Sequence, residues 1–182
     1  MNRRVLLLMV GLPGVGKTTL ARNLRRLMDG LVIYESDAVR KALAGYPPDI
    51  PLPKHMYSPE MNERTFAHIR ERTTQELRNG RSVLVDATFL REEYRRPFVD
   101  IAIEVGVPVL AIHVFAPEEV VRRRLERPRG TSDANYEVYL RMREEAQLPP
   151  DEIPHISVDG TQDPRATAIL VRTWIRGLLR AL

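Results

Sequence analysis

The sequence contains no cysteine, only three lysines and few aromatic residues, which make up 6% of the chain. The absence of cysteine excludes disulfide frameworks, cysteine-ligated zinc or iron–sulfur sites and thiol catalysis, and it favours a reducing, cytoplasmic compartment. No apolar run approaches the roughly 18 to 20 residues that cross a bilayer, so we expect no membrane partner. The four histidines lack metal-ligand spacing, which disfavours zinc chemistry.

Length and charge limit the organisation further. A chain of 182 residues has room for about one domain, and no internal repeat or long linker divides it. We therefore expect residues 1–182 to form a single unit. The net charge of +4 is a modest basic excess that fits phosphorylated substrates or nucleic acid without proving either.

Short aliphatic runs alternate with longer amphipathic stretches, which is the pattern of βα units around a parallel sheet. The pattern predicts strands near residues 5–10, 31–34, 82–86, 108–115 and 155–158. It predicts helices near residues 17–28, 37–44, 59–79, 92–104, 117–127, 133–146 and 164–181. The proline-rich segment 45–53 fits neither a helix nor a central strand, so we expect an exposed loop that walls a substrate cleft.

The strongest motif is GLPGVGKT at residues 11–18, which matches G-x-x-x-x-G-K-[ST] between the first predicted strand and the first predicted helix. Gly11, Gly14 and Gly16 let the backbone curl so that N–H groups, with that of Val15 among them, point at phosphate oxygens. The helix that follows adds the positive end of its dipole. This segment, the P-loop, therefore predicts a nucleotide site.

Side chains at the end of the P-loop complete this site. We expect Lys17 to reach the β- and γ-phosphates, the Thr18 hydroxyl to ligate Mg²⁺ and Thr19 to add a phosphate contact. The segment SVLVDAT, residues 82–88, is a hydrophobic run that reaches Asp86, the form of a Walker B carboxylate that holds Mg²⁺ directly or through water. The sequence thus predicts binding of ATP or GTP together with Mg²⁺.

Missing motifs narrow the class of nucleotide-binding protein. None of the three lysines follows an asparagine, so the guanine-reading motif N-K-x-D is absent. The L-S-G-G-Q signature of transporter ATPases is absent too, and the chain is short for a remodelling ATPase with a helical lid domain. Of the P-loop classes considered, the small kinases without these motifs or an added lid domain remain.

A candidate acceptor site follows the second predicted strand, where the crevice above a parallel sheet faces the γ-phosphate. Asp37 and Arg40 lie one helical turn apart there, so Asp37 is expected to accept a hydroxyl proton and Arg40 to hold an anionic or polar acceptor. An N-capping aspartate with a solvated arginine is the alternative. Tyr46, Tyr57 and Phe89 are expected either to line the acceptor pocket or to be exposed loop residues.

An arginine-rich segment at about 122–135 predicts a small helical lid. Arg124 and Arg127 share a helix face one turn apart, which makes both candidates for stabilising charge on a transferred phosphoryl group. Arg129 is a reserve candidate for the same role. The alternative is a solvated charged face, which is the commoner role of such runs.

These motifs together resemble a group of small P-loop kinases. The matching features are Asp37-x-x-Arg40, V-D-A-T ending at Thr88, and R-L-x-R from Arg124 to Arg127. The group includes polynucleotide 5′-hydroxyl kinases, chloramphenicol phosphotransferase, zeta-toxin-type kinases and predicted kinases grouped with AAA-domain ATPases. The resemblance implies an α/β P-loop NTPase fold, a five-stranded parallel sheet with helices on both faces and a small helical lid. It also implies Asp37 as general base, Arg40 at the acceptor and lid arginines over the γ-phosphate. Thr88 is a further candidate for binding the acceptor.

Three functions remain open from the sequence. The first is an ATP- and Mg²⁺-dependent phosphotransferase that acts on a hydroxyl of a small molecule or nucleoside. The second is a 5′-hydroxyl kinase that acts on nucleic-acid ends. The third is a nucleotide-binding interaction module without catalysis, in which the nucleotide orders the lid.

Overall fold

A computed structural model of the chain describes residues 4–126 and 135–181. Its sheet has five parallel strands in the order β2-β3-β1-β4-β5. They are β1 (Leu6–Val10), β2 (Val32–Glu35), β3 (Val83–Asp86), β4 (Val109–Phe115) and β5 (His155–Asp159). The predicted parallel sheet is confirmed, and every predicted strand boundary falls within one residue of the observed one.

Seven α-helices occur in the described ranges. They are α1 (Lys17–Leu27), α2 (Ser36–Ala44), α3 (Pro59–Arg78), α4 (Glu92–Val105), α5 (Glu118–Leu125), α6 (Tyr136–Glu144) and α7 (Pro164–Ala181). A short 3₁₀ helix, Lys54–Tyr57, was not predicted. The segment 45–53 contains neither helix nor strand, as its prolines predict.

The helix predicted at 133–146 is shorter in the structure. Its N-cap is Asn135, whose side chain accepts a hydrogen bond from the Val138 N–H at 2.9 Å, so α6 begins at Tyr136. Its C-cap is Glu145. Residues 133 and 134 lie outside the described part of the chain. Thr131, Ser132, Asp133 and Asn135 are all residue types that can cap a helix N-terminus, so the sequence alone does not fix where α6 begins.

The core lies on both faces of the sheet because β1 is central and fully buried. Alternate side chains of a strand point to opposite faces. Leu7 and Met9 therefore join the apolar cluster that includes α1 and α7, whereas Leu6, Leu8 and Val10 join the cluster that includes α3 and α4. The predicted placement of helices on both faces is confirmed.

The parallel arrangement places the carboxyl ends of the strands along one edge of the sheet. β1 leads there into the P-loop, β2 into α2, and β3 into the loop before α4. The strand register sets Asp86 level with both Glu35 and Met9. Polar side chains from three connections are thereby brought to one edge. In the described ranges, no helix has the length and apolar character needed to span a membrane.

Candidate active site

The connections at the carboxyl edge of the sheet enclose a cleft of about 1370 Å³. Most of the site residues predicted from the sequence line it, namely Gly14, Gly16, Lys17, Thr18, Thr19, Asp37, Arg40, Asp86, Thr88 and Arg124. Gly11 and Val15 are buried and do not line the cleft. Arg127 and Arg129 lie outside the described residues. The structure therefore brings the two predicted halves of the site, nucleotide and acceptor, into one cavity.

The P-loop curls through backbone conformations that favour glycine. Gly11, Gly14 and Gly16 have φ angles of 146°, 85° and 111°. Gly16 is the N-cap of α1, and no side chain caps the helix there. The first N–H groups of any α-helix lack partners within the helix, so this end of α1 suits an anion. Lys17 Nζ donates to the Leu12 carbonyl at 2.8 Å, which holds the ammonium at the loop.

A buried carboxylate lies beside the P-loop. Thr18 Oγ1 donates a hydrogen bond of 2.6 Å to Asp86 Oδ2. Burial raises the pKa of Asp86 to about 6, and the positive charge of Lys17 and the hydrogen bond from Thr18 only partly oppose this rise. The nearby carboxylates of Glu35 and Asp37 push the pKa of Asp86 in the same direction as burial. A cation bound beside these three carboxylates would therefore be stabilised by their negative charge.

The donor set at this position fits Mg²⁺. A hydroxyl and a carboxylate oxygen, from Thr18 and Asp86, lie in contact at the foot of the cleft. Mg²⁺ prefers oxygen ligands and usually keeps waters and phosphate oxygens in addition to one or two protein ligands. Mg²⁺ therefore does not need a full set of protein ligands. In the described ranges, no group of three carboxylate or histidine side chains that could hold a metal occurs.

Asp37 and Arg40 lie in the first turns of α2 and are bonded to each other. Arg40 Nη1 donates to Asp37 Oδ1 at 2.7 Å, and Arg40 Nη2 donates to Asn62 Oδ1 at 3.0 Å. The guanidinium also lies over the ring of Tyr57, 4.7 Å from its centroid. Arg40 is only 5% exposed, so the alternative of a solvated arginine is wrong. The Asp37 side chain keeps 33% of its surface exposed in the cleft.

Arg124 lines the cleft and is bonded to backbone carbonyls beside it. Its guanidinium donates to the carbonyl oxygens of Gly14 at 3.2 Å, Val15 at 3.1 Å and Gly160 at 2.8 Å. These contacts join α5 to the P-loop and to the loop after β5. The geometry makes Arg124 a positioning residue for the P-loop backbone, and its predicted role at the transferred phosphoryl group stays a prediction.

Gly160, in the loop between β5 and α7, packs against the P-loop, which sequence reasoning missed. Its N–H donates to the Phe115 carbonyl at 2.8 Å, and a Cβ at this position would lie 1.8 Å from the Val15 carbonyl oxygen. Only glycine allows the last strand to approach the P-loop this closely. The signal in the sequence was the Asp-Gly pair directly after the fifth predicted strand.

The side of the cleft that is predicted to hold the acceptor has an aromatic residue in a left-handed backbone conformation. Phe89 has a φ of 48°, uncommon for a bulky residue. Its carbonyl accepts a hydrogen bond of 2.6 Å from Nη1 of Arg95, a buried residue that also forms an ion pair with Glu152. Phe89 and Tyr57 line the cleft as predicted, whereas Tyr46 does not, because α2 ends before it and the chain turns away.

The segment after α6 is bonded to this same side of the cleft. The Gln147 N–H donates to the Leu90 carbonyl at 2.7 Å, and its side-chain oxygen accepts from the Glu92 N–H at 2.9 Å. Arg91 forms an ion pair with Glu145. The C-terminal end of α6 is therefore attached to the loop between β3 and α4.

Comparison with known families and structures agrees with this architecture. A family described as AAA domain matches residues 6–149 of the 182 residues. The chain therefore belongs to this family and has the fold of the small P-loop kinases.

Solved structures show the same fold at low sequence identity. The chain is similar to a sugar kinase from Janibacter sp. HTCC2649, with a TM-score of 0.71, 22% identity, and coverage of 96% of this chain and 95% of that one. It is similar to the Mycobacterium tuberculosis APS kinase CysC in complex with AMPPNP and APS, with a TM-score of 0.67, 17% identity, and coverage of 96% and 98%. A chain of the Pnkp1/Rnl/Hen1 RNA repair complex matches with a TM-score of 0.65 and 22% identity, covering 84% of this chain and 47% of that one.

The close approach of Gly160 to the P-loop gives a first prediction. Gly160→Ala forces the Val15 carbonyl to move, because a methyl group cannot lie 1.8 Å from a backbone oxygen. We expect about a tenfold or greater loss of affinity for AMPPNP, equivalent to about 1.4 kcal/mol, measured by titration calorimetry. Gly177→Ala, within α7 and with open space around its Cβ position, is the matched control and should leave affinity unchanged. Equal affinities for the two variants would contradict the proposed contact.

The raised pKa of Asp86 gives a second prediction. The carboxyl group binds its proton more tightly in the folded protein than in the unfolded chain, so folding is favoured below about pH 4 and this advantage is lost as pH rises through about 6. Above pH 6 the buried charge costs roughly 2 to 3 kcal/mol. Asp86→Asn should therefore raise the melting temperature of the nucleotide-free protein at pH 7.5 and change it little at pH 4.

The control for this comparison is Asp100→Asn, an exposed carboxylate paired with Arg96 on α4, which should shift the melting temperature little at either pH. Thermal unfolding followed by circular dichroism measures both variants. A lower melting temperature for Asp86→Asn at pH 7.5 would show that the buried charge is not destabilising.

Proposed function

We propose that the protein transfers the γ-phosphate of ATP, or of GTP, to a hydroxyl group of a small molecule or nucleoside. The observation that carries this proposal is the position of Asp37, whose partly exposed carboxylate lies in the same cleft as the P-loop and near Asp86. A carboxylate facing a phosphate site is the arrangement that a general base requires. The solved kinases with the same fold support the reaction class.

The chemical step follows from this arrangement. The carboxylate of Asp37 accepts the proton of the acceptor hydroxyl while the hydroxyl oxygen forms a bond to the γ-phosphorus. The bond from that phosphorus to the bridging oxygen breaks, and the electron pair leaves with the nucleoside diphosphate. Thr18 and Asp86 would hold Mg²⁺, which would neutralise charge at the phosphate oxygens.

The remaining residues bind and orient the two substrates. The N–H groups of the P-loop and the ammonium of Lys17 hold the β- and γ-phosphates, with Thr19 adding a contact. Arg40 orients the carboxylate of Asp37 through their hydrogen bond, and the Thr88 side chain lines the cleft on the acceptor side. We propose Arg124 and Arg127 for the stabilisation of charge in the transition state, within a lid at about 122–135, and residues 1–182 as one catalytic unit.

Replacement of the base tests this proposal. Asp37→Asn keeps an oxygen that accepts the Arg40 hydrogen bond but cannot take a proton, so acceptor-dependent ADP release should fall by about 10²- to 10⁴-fold. The affinity for AMPPNP should change little, because the P-loop is intact. Asp100→Asn is the control of equal charge change outside the cleft. Wild-type turnover in Asp37→Asn would remove the base from the mechanism, and nucleotide binding without acceptor-dependent turnover in the wild type would favour an interaction module.

A second candidate, a 5′-hydroxyl kinase for nucleic acid, is favoured by one observation at Arg40. Its guanidinium lines the cleft beside Asp37, where its positive charge would suit a phosphate group next to the 5′ hydroxyl. The likeness to a chain of an RNA repair complex points in the same direction.

A direct assay separates the two candidates. If the acceptor is a nucleic-acid end, radiolabelled ATP should label a 5′-hydroxyl oligonucleotide, and oligonucleotide binding should weaken steeply between 50 and 200 mM salt, by ~10-fold or more. A 5′-phosphorylated oligonucleotide of the same sequence is the control and should not be labelled. Absence of labelling, together with transfer to a small acceptor, would exclude this candidate.

A further inference from the structure

The acceptor side of the cleft is walled by aromatic rings from four different elements of the fold. They are Tyr57, Phe66, Phe89 and Tyr94. The ring of Phe66 lies 5.9 Å from that of Phe89 and is stacked on Tyr94 at 6.3 Å with an angle of 16° between the planes. Tyr94 lines the cleft and is 48% exposed, which is high for a large aromatic residue. We call these four residues the aromatic wall.

The aromatic wall is continuous with the proposed base. Arg40 connects the two, because its guanidinium bonds to Asp37 and lies over Tyr57, the first ring of the wall. The same guanidinium bonds to Asn62, and Phe66 follows Asn62 one turn later on α3. An acceptor whose hydroxyl reaches Asp37 therefore lies beside the exposed or partly exposed rings of Tyr57, Phe66 and Tyr94. Phe89 is only 1% exposed and supports the wall by packing against Phe66.

Asp37, Arg40 and Asn62 are bonded to one another at the proposed base, although the buried Nε of Arg40 has no partner in the described part of the chain. Arg40 donates to both Asp37 and Asn62, and the Asn62 amide donates to the Tyr57 carbonyl at 3.4 Å. A polyhydroxy acceptor needs a donor or acceptor on the protein for each hydroxyl that it removes from water, since unpaired buried polar groups are costly. A planar apolar group instead gains from stacking on aromatic rings and from leaving water. The aromatic wall therefore favours an acceptor with a planar apolar group over a polyhydroxy acceptor.

We propose, on the basis of the proposed function, that the acceptor is an alcohol that carries a planar aromatic group, which stacks on the aromatic wall while its hydroxyl faces Asp37. Two sources share this chemistry, namely nucleosides, in which the group is a base, and aryl alcohols. Tyr94 is the specificity-determining residue of this site because its ring is the most exposed of the four. Polyols and sugar acids are poor acceptors.

Binding in the absence of transfer tests the inference. The wild-type protein is saturated with AMPPNP and Mg²⁺, so that a nucleoside cannot enter the nucleotide site, and is titrated in a calorimeter with thymidine, 2-phenylethanol or gluconate. At least one aromatic probe should bind at least ten times more tightly than gluconate. Binding of thymidine alone identifies a nucleoside site, and binding of 2-phenylethanol as well identifies a site for aryl alcohols in general.

Variants of the wall provide the matched comparison. Tyr94→Ala should weaken binding of the aromatic probe about tenfold, because the stacking surface is lost, whereas Tyr94→Phe should retain it. Ile103→Ala removes an apolar side chain that is 70% exposed on α4 outside the cleft and should change nothing.

The outcomes separate this inference from the proposed function. AMPPNP binding with tight gluconate binding and weak aromatic binding overturns the aromatic acceptor while leaving phosphoryl transfer intact. Failure of both aromatic probes to bind at millimolar concentration overturns it as well. Failure of AMPPNP to bind contradicts the proposed function itself.

Discussion

The hydrogen bond between Thr18 and Asp86 is the interaction on which the rest of the cleft depends. It joins the first turn of α1 to the end of β3, and the two bonded residues are 68 positions apart in sequence. Because β3 lies between β1 and β2, this contact fixes the P-loop relative to the strand that leads to Asp37. A buried carboxylate at this point is unfavourable for folding, and Lys17 and Thr18 compensate for it only in part. Stability is therefore reduced where charge is needed for binding.

The opposite side of the P-loop is held by backbone carbonyls. Arg124 donates to Gly14, Val15 and Gly160, so one guanidinium connects the P-loop, α5 and the connection after β5. The planar fork of arginine suits several carbonyl oxygens at once, which a lysine ammonium would not match in geometry. The P-loop thus lies between a carboxylate on the side of β3 and a guanidinium on the side of β5.

The sequence predicted the fold well because its signals are local. Aliphatic runs, caps and glycines mark the strands and helices, and the P-loop motif marks the connection between β1 and α1. It also predicted that Asp37 and Asp86 share a site, since parallel strands end at one edge. The Asp-Gly pair after the fifth predicted strand marks a turn but not the contact of Gly160 with Val15. That contact, the backbone contacts of Arg124 and the stacking of Phe66 on Tyr94 were not predictable, because each depends on packing between segments far apart in the chain. The arginine spacing alone suggested a phosphate contact for Arg124, and only the packed structure showed which atoms lie within its reach.

The tight packing of Gly160 makes position 160 informative about related proteins. In this chain, the backbone of the fifth strand's connection lies against the Val15 carbonyl with no room for a side-chain carbon. A homologue with alanine or a larger residue at the equivalent position must hold its first loop farther from its last strand. The residue at this one position of a homologue thus indicates how closely its first loop packs against the end of its last strand.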